Sequence, residues 1–151
     1  MNGYLLDTVV LSATRLPRRN PEVERWMGHH QTDPIFIPVF ALGEIQQGIE
    51  VAPNPALQGV LADWLADLRE TYRDWILPFR APEALVWGAL VAPLELAGRS
   101  PAAVDAMIAA TALTHDLGVV TRNVRHFQTF DVEIINPWDD ENGAVRPRSR
   151  T

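Results

Sequence analysis

Three carboxylates of this 151-residue chain stand in settings that are unusually apolar for a charge. Asp7 directly follows the run Tyr4-Leu5-Leu6. Glu44 shares a helical stripe with Phe40 and Gly48, four residues to either side. Asp105 is followed at helical spacing by Ile108, Ala109 and Ala112. Burying an unpaired carboxylate costs several kcal/mol. Three of them aimed into one crevice repel one another unless a cation neutralises them. Hard divalent cations take oxygen ligands. Such a cation relieves charge on a phosphate and activates water for in-line hydrolysis. Each residue also has a plainer reading. Asp7 suits the cap of a following helix, Glu44 a solvated helix face, and Asp105 the positive end of its helix. The three lie far apart in sequence, so only folding brings them together.

Other polar residues carry weaker signals. Thr8 and Thr121 adjoin the acidic positions and are placed either to orient ligands or to make local turn bonds. Arg122 suits a phosphate contact or an exposed loop. Arg15, Arg18 and Arg19 form a basic loop that either grips RNA or is simply solvated. His29-His30 lacks a third metal ligand at helical spacing, which argues against zinc. His115 falls near the end of a helix, where a cation is favoured.

The elements that must position these groups follow from apolar periodicity. Short strands are predicted at 4–6, 35–39, 75–78, 119–121 and 132–135, with Val9, Val10 and Leu11 beginning a helix after Asp7. Helices are predicted over 21–31, capped by Asn20, over 40–50, and from Asn54-Pro55 through the stripe Leu57, Leu61, Trp64, Leu68 and Tyr72. Further helices are predicted over 82–97, interrupted or bent at Pro93, and over 101–116, with Gly118 just past its end. Residues 123–127 make a single helical turn. The Leu61, Trp64, Leu68 stripe is expected to be partly exposed and covered by a second subunit or another protein. Residues 139–151, with Arg146, Arg148 and Arg150, read as a polar, disordered tail. Strands alternating with helices give an α/β fold, a central parallel sheet flanked by helices. Sites in such sheets gather at the carboxyl ends of the strands.

Composition narrows the classes. The chain has 13 basic residues, 19 acidic ones and a net charge of −6, so it is no obvious nucleic-acid binder on charge alone. Cysteine is absent, which removes disulfides, thiol nucleophiles and thiolate metal sites. All the basic residues are arginine. No glycine-rich phosphate loop follows any strand, which argues against a nucleotide-binding module. No apolar run reaches the length of a signal peptide core or a membrane span, so a cytoplasmic protein is expected.

The stretches Tyr4-Leu5-Leu6-Asp7-Thr8, Glu44 in its helix, residues 104–112 around Asp105, Val120-Thr121-Arg122-Asn123-Val124-Arg125-His126-Phe127, and Asn136-Pro137-Trp138 resemble the PIN domain, closest to the VapC and FitB-like toxins of bacterial toxin–antitoxin modules. The resemblance spans residues 4–138 and implies a PIN-like three-layer sandwich over residues 1–138. It implies an Mg2+- or Mn2+-dependent endoribonuclease, with Asp7, Glu44 and Asp105 as metal ligands and catalytic residues. The fourth acidic position of the family falls at Asn123, whose amide carries no charge, and His126 stands where relatives carry another acid. One firmly held ion is therefore expected, with a second that binds together with substrate. The resemblance also implies a homodimer, a cognate antitoxin protein, operator DNA reached through that antitoxin, and RNA as substrate, with no membrane association. The alternative it leaves is a catalytically weak PIN-fold protein acting mainly in a DNA-bound antitoxin complex.

Overall fold

The structure is a computed structural model and describes residues 1–139 and the pair Val145–Arg146. Five parallel strands, β1 (Tyr4–Leu6), β2 (Ile35–Pro38), β3 (Ile76–Leu77), β4 (Gly118–Val120) and β5 (Ile134–Ile135), lie in the order β3-β2-β1-β4-β5. A sixth strand, β6 (Val145–Arg146), adds antiparallel to β5. The remainder of the tail expected from residue 139 onward lies outside the described residues.

Strand residues alternate between two cores, and this builds three layers. Leu6, Val120 and Ile135 face one core with α1 (Thr8–Thr14), α2 (Pro21–His29), α3 (Val39–Glu50) and α4 (Pro55–Thr71). Leu5, Val119 and Ile134 face the other with α5 (Ala81–Leu96), α6 (Ala103–His115) and α7 (Val124–Gln128). Strands covered on both faces must be apolar at every position, hence the short unbroken runs Tyr4-Leu5-Leu6 and Gly118-Val119-Val120.

Local chemistry explains most element ends, and corrects some expectations. Asn54 caps α4 by accepting from the Leu57 N–H at 2.8 Å. Asn20 sits at the N-cap of α2 but caps nothing with its side chain. Its amide turns back to donate to the Leu16 and Ala13 carbonyls at 3.1 and 3.4 Å. α5 runs through Pro93 as one helix. α6 begins at Ala103, two residues after Pro101. Its left-handed terminator is Asp116 (φ 53°), not Gly118, which lies in β4. There a Cβ would meet the Met1 sulfur at 2.6 Å and Ile135 Cδ1 at 2.7 Å. Along α4, Leu65 and Leu68 are buried and Leu61, Trp64 and Tyr72 half-buried, all packed on the first core.

β1 is the switch point of the sheet: the chain leaves it for β2 on one side, and β4 lies on the other. A crevice opens at the carboxyl ends of strands at such a point.

A candidate active site at the carboxyl ends of β1 and β4

Asp7 is the first residue beyond β1 and Thr121 the first beyond β4. The Asp7 N–H donates to the Val120 carbonyl at 2.9 Å, which carries the sheet's pairing one step past the strands. The chain then turns into α1, with Asp7 as its extended N-cap. This puts a carboxylate, only 3% exposed, at the mouth of the switch point. Both of its oxygens are oriented. The Thr8 N–H donates to Oδ1 at 2.8 Å, and the buried Thr121 hydroxyl donates to Oδ2 at 2.7 Å. The Asn123 N–H in turn donates to Thr121 Oγ1 at 2.9 Å.

Burial pushes the Asp7 carboxyl up to about 6, and the charges of Asp105 and Glu44 push the same way against the Thr121 and Thr8 hydrogen bonds. Glu44 is half-buried on α3, and the Thr8 hydroxyl donates to its Oε1 at 2.6 Å. Asp105 is half-buried in the first turn of α6, with Oδ2 2.9 Å from His126 Nδ1. The fold therefore gathers the three acids around Asp7 within electrostatic range. It does not close them into a ligand cage: among the described residues, no three His, Asp or Glu side chains form a ready metal group. Asn123 stands apart. Its side chain is exposed and lines a neighbouring cleft with Arg122 and Trp138, and only its backbone N–H reaches the acidic site through Thr121.

The donor set is all oxygen and all carboxylate around a buried, proton-hungry Asp7, which fits a hard divalent cation. The Thr8 and Thr121 hydroxyls donate to Glu44 and Asp7, and Thr121 also makes a local turn bond by accepting from the Asn123 N–H. The His126–Asp105 contact escaped the sequence reading, which treated the two residues separately. His115 ends α6 as expected, but its ring nitrogen meets the buried Glu83 at 2.9 Å. His30 pairs with Asp33 and stacks on Trp26. No helix among the described residues is long and apolar enough to cross a membrane.

A family model described as the PIN domain matches residues 4–132. The chain is 31% identical to Toxin FitB of Neisseria gonorrhoeae over 137 residues, 90% of this chain and 99% of that protein. It is 24% identical to VapC ribonuclease Y4jK of Sinorhizobium fredii over 136 residues, covering 89% and 97% of the two chains. A solved structure of FitAB bound to an IR36 DNA fragment superposes with a TM-score of 0.82 at 29% identity, covering 92% of this chain and 98% of that one.

Proposed function

The chain belongs to the PIN-domain family, and from that premise we propose that it is a divalent-metal-dependent endoribonuclease acting as the toxin of a toxin–antitoxin module. The observation that carries the reading is Asp7: a buried carboxylate at the sheet's switch point, oriented by two donors and faced by two further acids. Asp7, Glu44 and Asp105 would hold Mg2+ or Mn2+, with Asn123 at the margin. When bound, the cation supplies charge relief to the oxygens of a phosphodiester and makes a neighbouring water more acidic.

The chain's own residues prepare the site. Burial pushes the Asp7 carboxyl up to about 6, and a bound cation would favour its ionised form as a ligand. Thr121 and Thr8 fix the directions of its two oxygens, and the Thr8 hydroxyl ties Glu44 to the same corner. His126 holds Asp105 by one oxygen and leaves the other open. Glu44 and Asp105 each use one oxygen in these contacts, so the second oxygen of each would be the one offered to a cation.

Partners follow from the relatives. FitB is a toxin, and FitAB binds DNA. This supports a cognate antitoxin and operator DNA reached through it. A homodimer is supported by α5, where Leu85 and Leu96 are 77% and 89% exposed on an otherwise apolar helix.

The test is cleavage of single-stranded RNA with Mg2+ or Mn2+. Wild type should cut, and Asp7→Asn and Asp105→Asn should not. RNA left intact by wild type in both cations overturns the reading. A second reading, a catalytically weak partner in a DNA-bound antitoxin complex, is favoured by the neutral, outlying Asn123 and by His126 occupying Asp105. It requires RNA to stay intact while the antitoxin complex still binds operator DNA.

A further inference from the structure

Two clefts share one wall beside the acidic crevice. The first, of about 430 Å3, lies between the α5–α6 connection and α7; Arg99, Ser100, Asp105, Arg125 and His126 are among its lining. The second, of about 680 Å3, lies between α7 and the segment after β5; its lining includes Arg122, Asn123, Arg125, His126 and Trp138. Arg125 and His126 belong to both, so α7 is a ridge between them. Asp105 places the first cleft next to the proposed metal ligands.

The second cleft contains a built platform. The Arg122 guanidinium lies over the Trp138 ring, 4.9 Å from its centroid. That ring is fixed in turn: its Nε1–H donates to Asn20 Oδ1 at 3.4 Å, the Trp138 N–H donates to Asn136 Oδ1 at 3.0 Å, and the half-buried ring packs on the first core. The odd orientation of Asn20, useless as a cap, serves this contact. Arg122, Arg99 and Arg125 are exposed, and none of them is in an ion pair among the described residues. Arg122 is exposed beside this fixed ring, so its guanidinium plane is open to solvent next to an aromatic face. Unpaired bases stack on guanidinium planes and aromatic rings.

Charge divides the two clefts. Glu22 and Asp139 also line the second, where they oppose a phosphate but not the uncharged edge of a base. The first holds Arg99 and Arg125 against the single carboxylate Asp105. Arginine binds phosphate through a planar fork, which suits this pair.

We propose that α7 is a nucleotide-reading ridge for single-stranded RNA. One unpaired base stacks on Arg122 over Trp138, and the adjoining phosphate sits between Arg99 and Arg125 beside Asp105. This rests on the ribonuclease reading and adds to it where the strand lies and why it must be unpaired. A duplex keeps its bases stacked on one another and offers none to Arg122.

The test is fluorescence anisotropy of a short fluorescein-labelled single-stranded oligoribonucleotide on the full chain, with chelator present so that nothing is cut. Arg122→Gln should weaken binding about tenfold, the scale of one lost base stack. Arg122→Lys should weaken it nearly as much, because the charge stays and the plane goes. An abasic site at one position of the oligonucleotide should cost wild type the same affinity and cost Arg122→Gln nothing further. Arg99→Gln and Arg125→Gln should each lower the salt dependence of binding by about 0.7 in the log–log slope. Binding of the corresponding RNA duplex should not respond to Arg122→Gln. Full affinity in Arg122→Gln or in Arg122→Lys overturns the ridge, as does equal loss for single strand and duplex. Because Arg122, Arg99 and Arg125 are exposed, these variants should fold as wild type does. A chain that binds in this way yet never cleaves overturns the catalytic reading alone. One that cleaves RNA but binds it equally with and without Arg122 overturns the ridge alone.

Discussion

Two carboxylates of this protein expose almost no surface and behave in opposite ways, Asp7 lying deep and Glu83 just beneath the surface. Asp7 is 3% exposed and Glu83 4%. Glu83 sits in the first turn of α5, where its Oε2 accepts from the Arg80 N–H at 3.0 Å and its Oε1 meets His115 Nε2, at the end of α6, at 2.9 Å. Burial works to raise its pKa, but its own N–H, His115 and the Arg80 N–H outweigh burial and hold it below the usual carboxylate range. Asp7 has two donors, no cation, and two acids opposite it, and it is pushed up to about 6. Burial of a charge therefore does not by itself mark a working site. The Glu83 pair ties α5 to α6, and its needs are met within the chain. Those of Asp7 are not, and that deficit is what a cation would fill.

The largest expected effect separates the two by reaction rate. Asp7→Asn and Asp105→Asn should each lower RNA cleavage by about 1,000-fold or more, the scale of losing a principal source of charge stabilisation. Glu83→Gln should retain wild-type cleavage per folded molecule. A quantitative gel assay with Mn2+ reads all three, and a Glu83→Gln loss as deep as that of Asp7→Asn breaks the contrast.

The next effect is on stability against pH, and its sign differs between the two residues. The folded Asp7 carboxyl is raised from 3.8 to about 6, so the folded state holds that proton more tightly than the unfolded one. Its contribution is whole below about pH 4 and is lost as pH rises through about 6, amounting to about 3 kcal/mol. Without divalent ion, Asp7→Asn should therefore be more stable than wild type at pH 8, by up to about 3 kcal/mol, and the gap should close toward pH 4. Glu83 runs the other way. Its lowered folded pKa stabilises the fold above the ordinary glutamate range, and that support is lost as pH falls through the lowered value. Glu83→Gln should be destabilised at pH 7 by about 1–2 kcal/mol, less so in acid. Urea titrations across pH check both, and parallel curves for the two variants would erase the distinction.

A smaller effect follows from mass action. Mg2+ or Mn2+ at a hundredfold excess over its dissociation constant should stabilise wild type by about 2.7 kcal/mol. In a chain of this size that raises Tm by about 8 °C. Glu83→Gln should keep the shift and Asp7→Asn should lose most of it. A wild-type melting temperature indifferent to the ion would leave Asp7 unexplained.

Much of this was legible in the sequence, because β1, β2 and β4 are apolar throughout and the helices carry clear stripes. Asp7, Glu44 and Asp105 stood out because a charge in an apolar setting is visible from neighbours alone. What was not legible depends on contacts between distant residues. Glu83 has no distinguishing neighbours in the sequence, and only the packing of α5 on α6 brings His115 to it. The Asn20 side chain is diverted from capping by the Ala13 and Leu16 carbonyls and by Trp138, which joins it from 118 residues away. The Gly118 position is fixed by Met1 and Ile135 rather than by the end of α6. The Thr8–Glu44 and His126–Asp105 contacts join residues 36 and 21 positions apart, pairings that no local spacing rule reveals.

The smallest effect concerns Asn123, and it sharpens the comparison from the Asp7 side. Its N–H donates to Thr121 Oγ1, and that hydroxyl donates to Asp7, so Asn123 stands two hydrogen bonds from the buried carboxylate while its amide lines the second cleft. Asn123→Asp keeps the backbone bond and adds one negative charge in an exposed position. In a solvent-screened setting that charge is worth about 1 kcal/mol toward a cation at the acidic crevice. Mn2+ affinity should therefore rise about fivefold by calorimetry. The same charge adds to the repulsion already acting on Asp7, so without metal the Asp7 carboxyl should titrate slightly higher still. Glu83, on α5, should not respond. Equal Mn2+ affinity in wild type and Asn123→Asp would place Asn123 outside the reach of the ion and reduce its part to the backbone support of Thr121. In that case the site rests on Asp7, Glu44 and Asp105, and the exposed amide belongs with Arg122 and Trp138 on the RNA-facing ridge.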